Sequence, residues 1–471
     1  MGRLVIGTAT LCLILFPAQL QARTIFVSPQ GGEFSSIQAA VEAAGPGDVV
    51  VVDGGRYREH VVVKVPGLRL VGRGGPVIEN SGSTHTVELL ANGVELSGFT
   101  VVGTGDDLMH NASCVHIKGD RITIRDNRLL EARFGIFVEG GKGHQILGNV
   151  IVGKKGLPDD EKGNGIYLWN TEEVTIHGND ISLVRDGIYF DHANRITTIN
   201  NRIHDLRYGL HYMYSDYNKF EGNLIYRSTV GGVMMYSDYI ELNQNQILFN
   251  RDTYLSSGLV LLKTKNIEAS KNVVVGNYIG IQLDLVYDSE FIKNLFAEND
   301  VGVLAFTGGG EVYFTENDFI GNYTSVQPVD GPIDGVIWAK EGRGNYWSDY
   351  LGYDLDLDGV GDVPHHLSGA FEELQRLRPL ARLYLFSLGA KALASAEKVF
   401  PIIFSQPTVD PAPLMRPTSV ARVALETQRK ATKPSPAAGV LMLGLGILLA
   451  LLVGRQARPR GIGGRFRRRK R

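Results

Sequence analysis

The stretch Gly165-Ile166-Tyr167-Leu168-Trp169-Asn170, followed by a polar corner, by Val174-Thr175-Ile176 and by Asn179, is one unit of a pattern that decides the fold. Apolar and polar residues alternate along its two short arms, which is the period of β-strands, and turn-forming residues close each arm. The unit recurs. Asparagines stand at 127, 149, 179, 201, 223, 245, 272, 294 and 317, and six of the eight steps are 22 or 23 residues. Glycines keep the same register at Gly135, Gly165, Gly187, Gly209, Gly231, Gly258, Gly280 and Gly302, and all but the last precede their asparagine by fourteen residues. Short strands at fixed offsets with no helical stretch between them predict an all-β fold, a right-handed parallel β-helix running as one solenoid from about Thr24 to Tyr323. On this reading the asparagines stack in hydrogen-bonded ladders at tight turns, and the glycines supply backbone freedom.

Outward from the repeat, Phe34-Ser35-Ser36-Ile37-Gln38-Ala39-Ala40-Val41-Glu42-Ala43-Ala44 is an amphipathic helix with a serine start, suited to capping the open end of the solenoid. Residues 1–22 have the basic start, apolar run and small-residue end of a signal peptide. Residues 23–340 then form the capped β-helix, 341–400 an acidic loop and a helical C-terminal cap, and 401–436 a proline-rich linker. A helix is expected between 372 and 399 from the spacing of Leu374, Leu377, Leu380 and Leu383. Residues 437–453 are apolar and are followed by a basic tail, 454–471, which predicts one transmembrane helix with the tail on the cytoplasmic side and the body anchored to the inner membrane from the periplasm. A sorting signal removed after export is the alternative for this tail. Cys12 leaves with the signal, so Cys114 remains alone and no internal disulfide can form. Setting aside Arg3 and the nine basic tail residues changes the formal charge from −2 to −12, which excludes a nucleic-acid or polyanion surface on the body.

Two adjacent units differ from the rest. Gly209-Leu210-His211-Tyr212-Met213-Tyr214-Ser215-Asp216-Tyr217 aligns, twenty-two residues on, with Gly231-Gly232-Val233-Met234-Met235-Tyr236-Ser237-Asp238-Tyr239. If the residue after glycine faces inward, alternation sends His211, Met213 and Met235 outward. Rungs stack about 4.8 Å apart, so the two thioethers can share one ion, and thioether with imidazole suits Cu(I). The competing reading is a partner-binding face, with Tyr167, Trp169, Tyr189 and Met234 as its apolar anchors. Met109-His110 with Cys114 is a looser metal candidate. Asp354, Asp356, Asp358 and Asp362 alternate before and after Gly359 like the first half of a Ca2+ loop, although His365 stands where a closing glutamate belongs; an acidic turn held by Asx hydrogen bonds reads equally well. Two steps of the repeat are stretched, by residues 154–163 and around 250–257; such loops are where solenoids place recognition, and a neutral surface insertion reads equally well. β-Helix polysaccharide lyases, epimerases and hydrolases are the rival class; their groove would need converging carboxylates and bases, and Asp191-His192 beside Tyr189 is the nearest candidate.

Longer words narrow the reading. Ser36-Ile37-Gln38-Ala39-Ala40, Arg185-Asp186-Gly187-Ile188-Tyr189-Phe190, Arg207-Tyr208-Gly209-Leu210-His211-Tyr212-Met213-Tyr214-Ser215, Gly344-Asn345-Tyr346-Trp347-Ser348-Asp349-Tyr350 and Asp410-Pro411-Ala412-Pro413-Leu414-Met415-Arg416-Pro417 together resemble the NosD family of nitrous oxide reductase maturation proteins. The resemblance implies a non-enzymatic periplasmic factor that works with an ABC transporter, made of an ATPase and a membrane subunit, and with a copper chaperone, in supplying or assembling the reductase's copper centres. It carries no catalytic residue over. Pro364-His365-His366 departs from the proline and tyrosine of many relatives, and the C-terminal anchor departs from a wholly soluble member.

Overall fold

The computed structural model describes residues 22–367 apart from 254, 307, 330–332 and 334, together with 387, 389, 392 and 408–418. Its strands form three long sheets of 14, 12 and 13 strands, every ladder in them parallel, and consecutive strands of the chain enter different sheets in turn. Each strand therefore pairs with its equivalents one rung before and one rung after. Ile166, Ile188, Leu210, Gly232, Leu259, Ile281 and Val303 follow one another in register along one such column. This is a parallel β-solenoid, as the repeat predicts, and it runs past Tyr323 to the pairs at Val336–Ile337 and Tyr346–Trp347.

Alternation places the apolar residues inside. Ile166, Leu168, Ile188, Phe190, Leu210 and Tyr212 are buried, and the Phe190 and Tyr212 rings stack at 3.9 Å. At the N-terminal end the helix Ile37–Ala43 buries Ile37, Ala40 and Val41 over the first rungs. Ser36 caps it by accepting from the Ala39 amide, and Glu59 accepts from Ser36 Oγ at 2.9 Å and from the amides of Ile37 and Gln38 at 3.1 and 2.9 Å. A carboxylate thus meets the free N–H groups of the first turn and ties the cap to the rung beneath it.

The asparagines form a continuous buried ladder at one corner. Each backbone N–H and each Nδ2 donates to the Oδ1 of the next asparagine: Asn201 to Asn223 at 3.0 Å through both donors, and Asn223 to Asn245 likewise. The ladder starts where Phe99 N donates to Asn127 and reaches Asn345. There Asp410, returning from 65 residues on, accepts from Asn345 N and Trp347 Nε1, both at 2.8 Å. Val409–Asp410 also pairs antiparallel with His365–His366, so the return segment closes the last rung.

The glycines need correction. None of Gly135, Gly165, Gly187 and Gly209 lies at positive φ. They are required by space, because a Cβ on Gly209 would meet the Gly231 carbonyl oxygen at 2.3 Å and Ile225 Cγ2 at 2.5 Å. The left-handed turn positions are taken instead by residues such as Asn170, Tyr214 and Tyr217. Among the described residues no helix is long and apolar enough to cross a membrane. The signal peptide, the helix expected between 372 and 399 and the span at 437–453 lie outside the described residues, save Ala22, Ser387, Gly389 and Ala392.

Candidate metal and docking face

The outer face of the 12-stranded sheet carries two side-chain columns. The first runs Glu88, His116, Phe137, Tyr167, Tyr189, His211 and Val233 in strict register. Its rings stack without a break: His116 to Phe137 at 5.2 Å, Phe137 to Tyr167 at 5.2 Å, Tyr167 to Tyr189 at 5.0 Å, and Tyr189 to His211 at 4.6 Å. The second column, two residues further along each strand, runs Glu139, Trp169, Asp191, Met213, Met235 and Leu262.

His211, Met213 and Met235 therefore face outward as alternation requires, and Met213 and Met235 are direct neighbours across a rung. All three are half-buried. His211 stands opposite Val233, not opposite sulfur, and its Nδ1 lies 3.1 Å from Asp186, a fully buried carboxylate that Arg207 grips through Nε and Nη2. Burial works against the charge on Asp186, but His211 and Arg207 outweigh it and hold its carboxyl below the usual range. The Tyr189 hydroxyl donates to Met213 Sδ at 3.4 Å. Thioether, thioether and imidazole thus occupy one patch, with Asp186 orienting the imidazole from behind.

Of the expected docking residues, Trp169 is 42% exposed, while Tyr167 and Tyr189 are half-buried edges of the aromatic column. Met234 is corrected: it is fully buried, stacks on Tyr212 inside the solenoid and presents nothing to a partner. Around the corner from Met213 and Met235 the turns expose Tyr214, Tyr217, Tyr236 and Tyr239, paired across the rung at 5.3 and 4.7 Å. Their left-handed backbone aims these large side chains at solvent.

Cys114 is fully buried, and burial pushes its thiol up, so it stays protonated. Met109 is exposed and His110 bonds Asp107, so the Met109, His110 and Cys114 grouping does not come together. In the acidic loop, carboxylate oxygens of Asp354, Asp356 and Asp358 lie within 4.8 Å of one another, whereas Asp362 turns to the Leu355 amide at 2.7 Å. Asx bonds from Gly359 N to Asp354 and from Val360 N to Asp358 hold the turn. Asp191 accepts from Tyr167 OH and neighbours His192 Nδ1 at 2.7 Å, on the same outer face. The two inserted loops converge: Asp159 and Lys162 of the first and Arg251 and Asp252 of the second line one open cleft of about 400 Å³ with Asp205 and Arg227. Sequence reading passed over His85, Glu88 and His116, which the solenoid brings into one cluster.

Comparison with known proteins accords with these words. Residues 150–352 match the family model described as periplasmic copper-binding protein (NosD). The chain is 37% identical over 376 residues to the "Probable ABC transporter binding protein NosD" of Stutzerimonas stutzeri, covering 77% of this chain and 85% of that one. It is 38% identical to the protein of the same name in Pseudomonas aeruginosa, covering 77% and 87%. The mannuronan C-5 epimerase AlgE4 A-module of Azotobacter vinelandii aligns with a TM-score of 0.45 and 16% identity over 64% of this chain and 88% of that one, a likeness that carries no activity over.

Proposed function

We infer the function of this chain from its family: it belongs to the NosD family. It serves as a periplasmic, non-enzymatic factor in building the copper centres of nitrous oxide reductase, working beside an ABC transporter of ATPase and membrane subunits and beside a copper chaperone. The observation that supports this reading most is the identity of 37% sustained over 77% of the chain. The outer face adds chemistry consistent with it. Met213 and Met235 in register offer two soft ligands about 4.8 Å apart, and His211 is oriented by Asp186 beside them. Cu(I) is then cargo, taken up when the Tyr189 hydroxyl releases Met213 Sδ and passed on across a face whose exposed tyrosines hold the protein partner.

A strain lacking the gene tests the reading. Reductase protein should accumulate with deficient copper centres, and complementation with the intact gene should restore them. Normal metallation in the deletion strain would overturn the proposal, and cleavage or epimerisation of a uronate polymer by the purified protein would replace it with sugar chemistry.

A further inference from the structure

We propose that His85, Glu88 and His116 form a metal site for a borderline divalent cation of the Zn2+ or Cu2+ class, separate from the thioether patch. The three residues come from two adjacent rungs. Glu88 and His116 are register partners on the outer face, and His85 lies just ahead of the strand that carries Glu88. One ligand atom from each lies within 4.8 Å of the other two. His60, from the rung before, reaches Glu88 Oε1 with Nε2 at 2.8 Å, so a fourth donor stands at the same carboxylate. His211 is four rungs further along the column, about 19 Å away at about 4.8 Å per rung, too far to share an ion.

The donor set selects the ion. Imidazole nitrogen with carboxylate oxygen suits Zn2+ and Cu2+; Ca2+ asks for oxygen alone and Cu(I) for sulfur. Two histidines and one glutamate, with His60 or water completing the shell, are the composition of open zinc sites. The surroundings prepare the ligands. Ser113 Oγ holds His85 Nδ1 at 2.8 Å, so that ring is fixed from behind and its Nε2 is left to the cluster. His116 is 6% exposed and lies between two carboxylates, Glu88 at 3.3 Å and Glu139 at 2.9 Å, with Lys118 on Glu139 at 2.9 Å. A dication entering between His116 Nδ1 and Glu88 leaves Glu139 to orient the imidazole from its other nitrogen. The His85 and His116 rings stack at 4.4 Å with planes 26° apart.

The proposal stands on this cluster and not on the copper reading of Met213 and Met235. Its test uses tag-free full-length protein stripped of metal, titrated calorimetrically with Zn2+ and with Cu2+ alone, and examined with Co2+ for the visible spectrum of a nitrogen-ligated ion. One tight equivalent is expected. It should weaken at least about ten-fold in Glu88→Gln, which keeps the side chain's shape, and in His85→Phe, which keeps the ring stack. The Met213→Leu, Met235→Leu pair should leave it unchanged. Circular dichroism identifies any variant that has lost the solenoid, and the Co2+ spectrum of the unaltered protein reads the ligands without a variant. Absence of a tight equivalent in the unaltered protein, a Co2+ spectrum with oxygen ligands only, or equal affinity in folded Glu88→Gln and His85→Phe would each overturn the site.

Discussion

The asparagine corner and the outer face of the 12-stranded sheet are built by the same stacking, yet they respond to different demands. At the corner every rung repeats one residue, and every amide finds its partner in the next copy. On the face the same register delivers residues that change along the column: histidine, phenylalanine, two tyrosines, histidine, and two methionines one column over. Repetition makes stability, because each buried amide finds its partners in the next copy and in the backbone carbonyls of the preceding rung. Variation makes chemistry, because unlike ligands can meet only where the repeat is broken. The comparison teaches that in a solenoid the residues to examine for function are those whose column is in register while their identity changes.

Substitutions that separate the two regions follow. The largest effect is expected at the corner. Asn223→Ala removes the acceptor of both Asn201 donors and the donor to the Thr198 carbonyl, all buried, and should cost roughly 3–5 kcal/mol in denaturant unfolding, summed over groups worth about 1–3 kcal/mol each. Zn2+ affinity of the surviving folded fraction should be unchanged; a loss of less than about 1 kcal/mol would mean that the ladder is ornamental. Next comes the glycine column. Gly209→Ala puts a methyl against the Gly231 carbonyl and should cost about 1–3 kcal/mol by forcing the rungs apart, read as a lowered melting temperature.

The face should behave in the opposite way. Met213→Leu with Met235→Leu keeps volume and apolarity, so unfolding should shift by less than about 1.5 kcal/mol while Cu(I) competition titrations lose the soft site. Unchanged Cu(I) binding would reassign the patch to docking alone. Inside the solenoid, the Tyr212 hydroxyl is buried with no hydrogen-bond partner, and Tyr212→Phe should raise stability by about 1 kcal/mol without touching either metal. The smallest effect concerns acid. Arg227 first, and His204 after it, hold the Asp205 carboxyl at about 2, below its ordinary 3.8. A depressed folded value means that its stabilisation is complete above about pH 4 and is lost as pH falls toward 2; Asp205→Asn should flatten that part of the unfolding curve against pH, with a modest, solvent-screened loss of stability at neutral pH that vanishes as pH falls toward 2.

The legible part of the molecule was the periodic part. Asparagine and glycine spacing announced the solenoid, and alternation from the residue after glycine correctly turned His211, Met213 and Met235 outward. The same alternation sends Met234 inward, and counting it as a docking residue set composition above geometry. The histidine cluster was hidden for a physical reason. His85 and His116 lie before Asn127, where the repeat has not yet settled, and 28 residues separate Glu88 from His116. A site assembled from rungs of unequal length has no period in the chain. Asp410 escaped notice similarly, since a closing carboxylate 65 residues away leaves no local signature beyond its own proline-rich word.

That closing carboxylate has an electrical meaning. All ten side-chain amides from Asn127 to Asn345 point the same way, each Oδ1 toward the preceding rung and each Nδ2 toward the following one. Their dipoles add head to tail as peptide dipoles do in a helix, leaving partial negative charge facing Phe99 N and partial positive charge at Asn345. The column is therefore polarised along the solenoid axis, and the positive pole is where Asp410 arrives, with 0% of its surface exposed; burial holds its carboxyl above the usual range, partly offset by the Trp347, Asn345 and Ala412 donors. A neutral residue at that position would fill the same space and leave the pole unanswered. The return of the chain to its last rung is thus selected by charge as well as by shape.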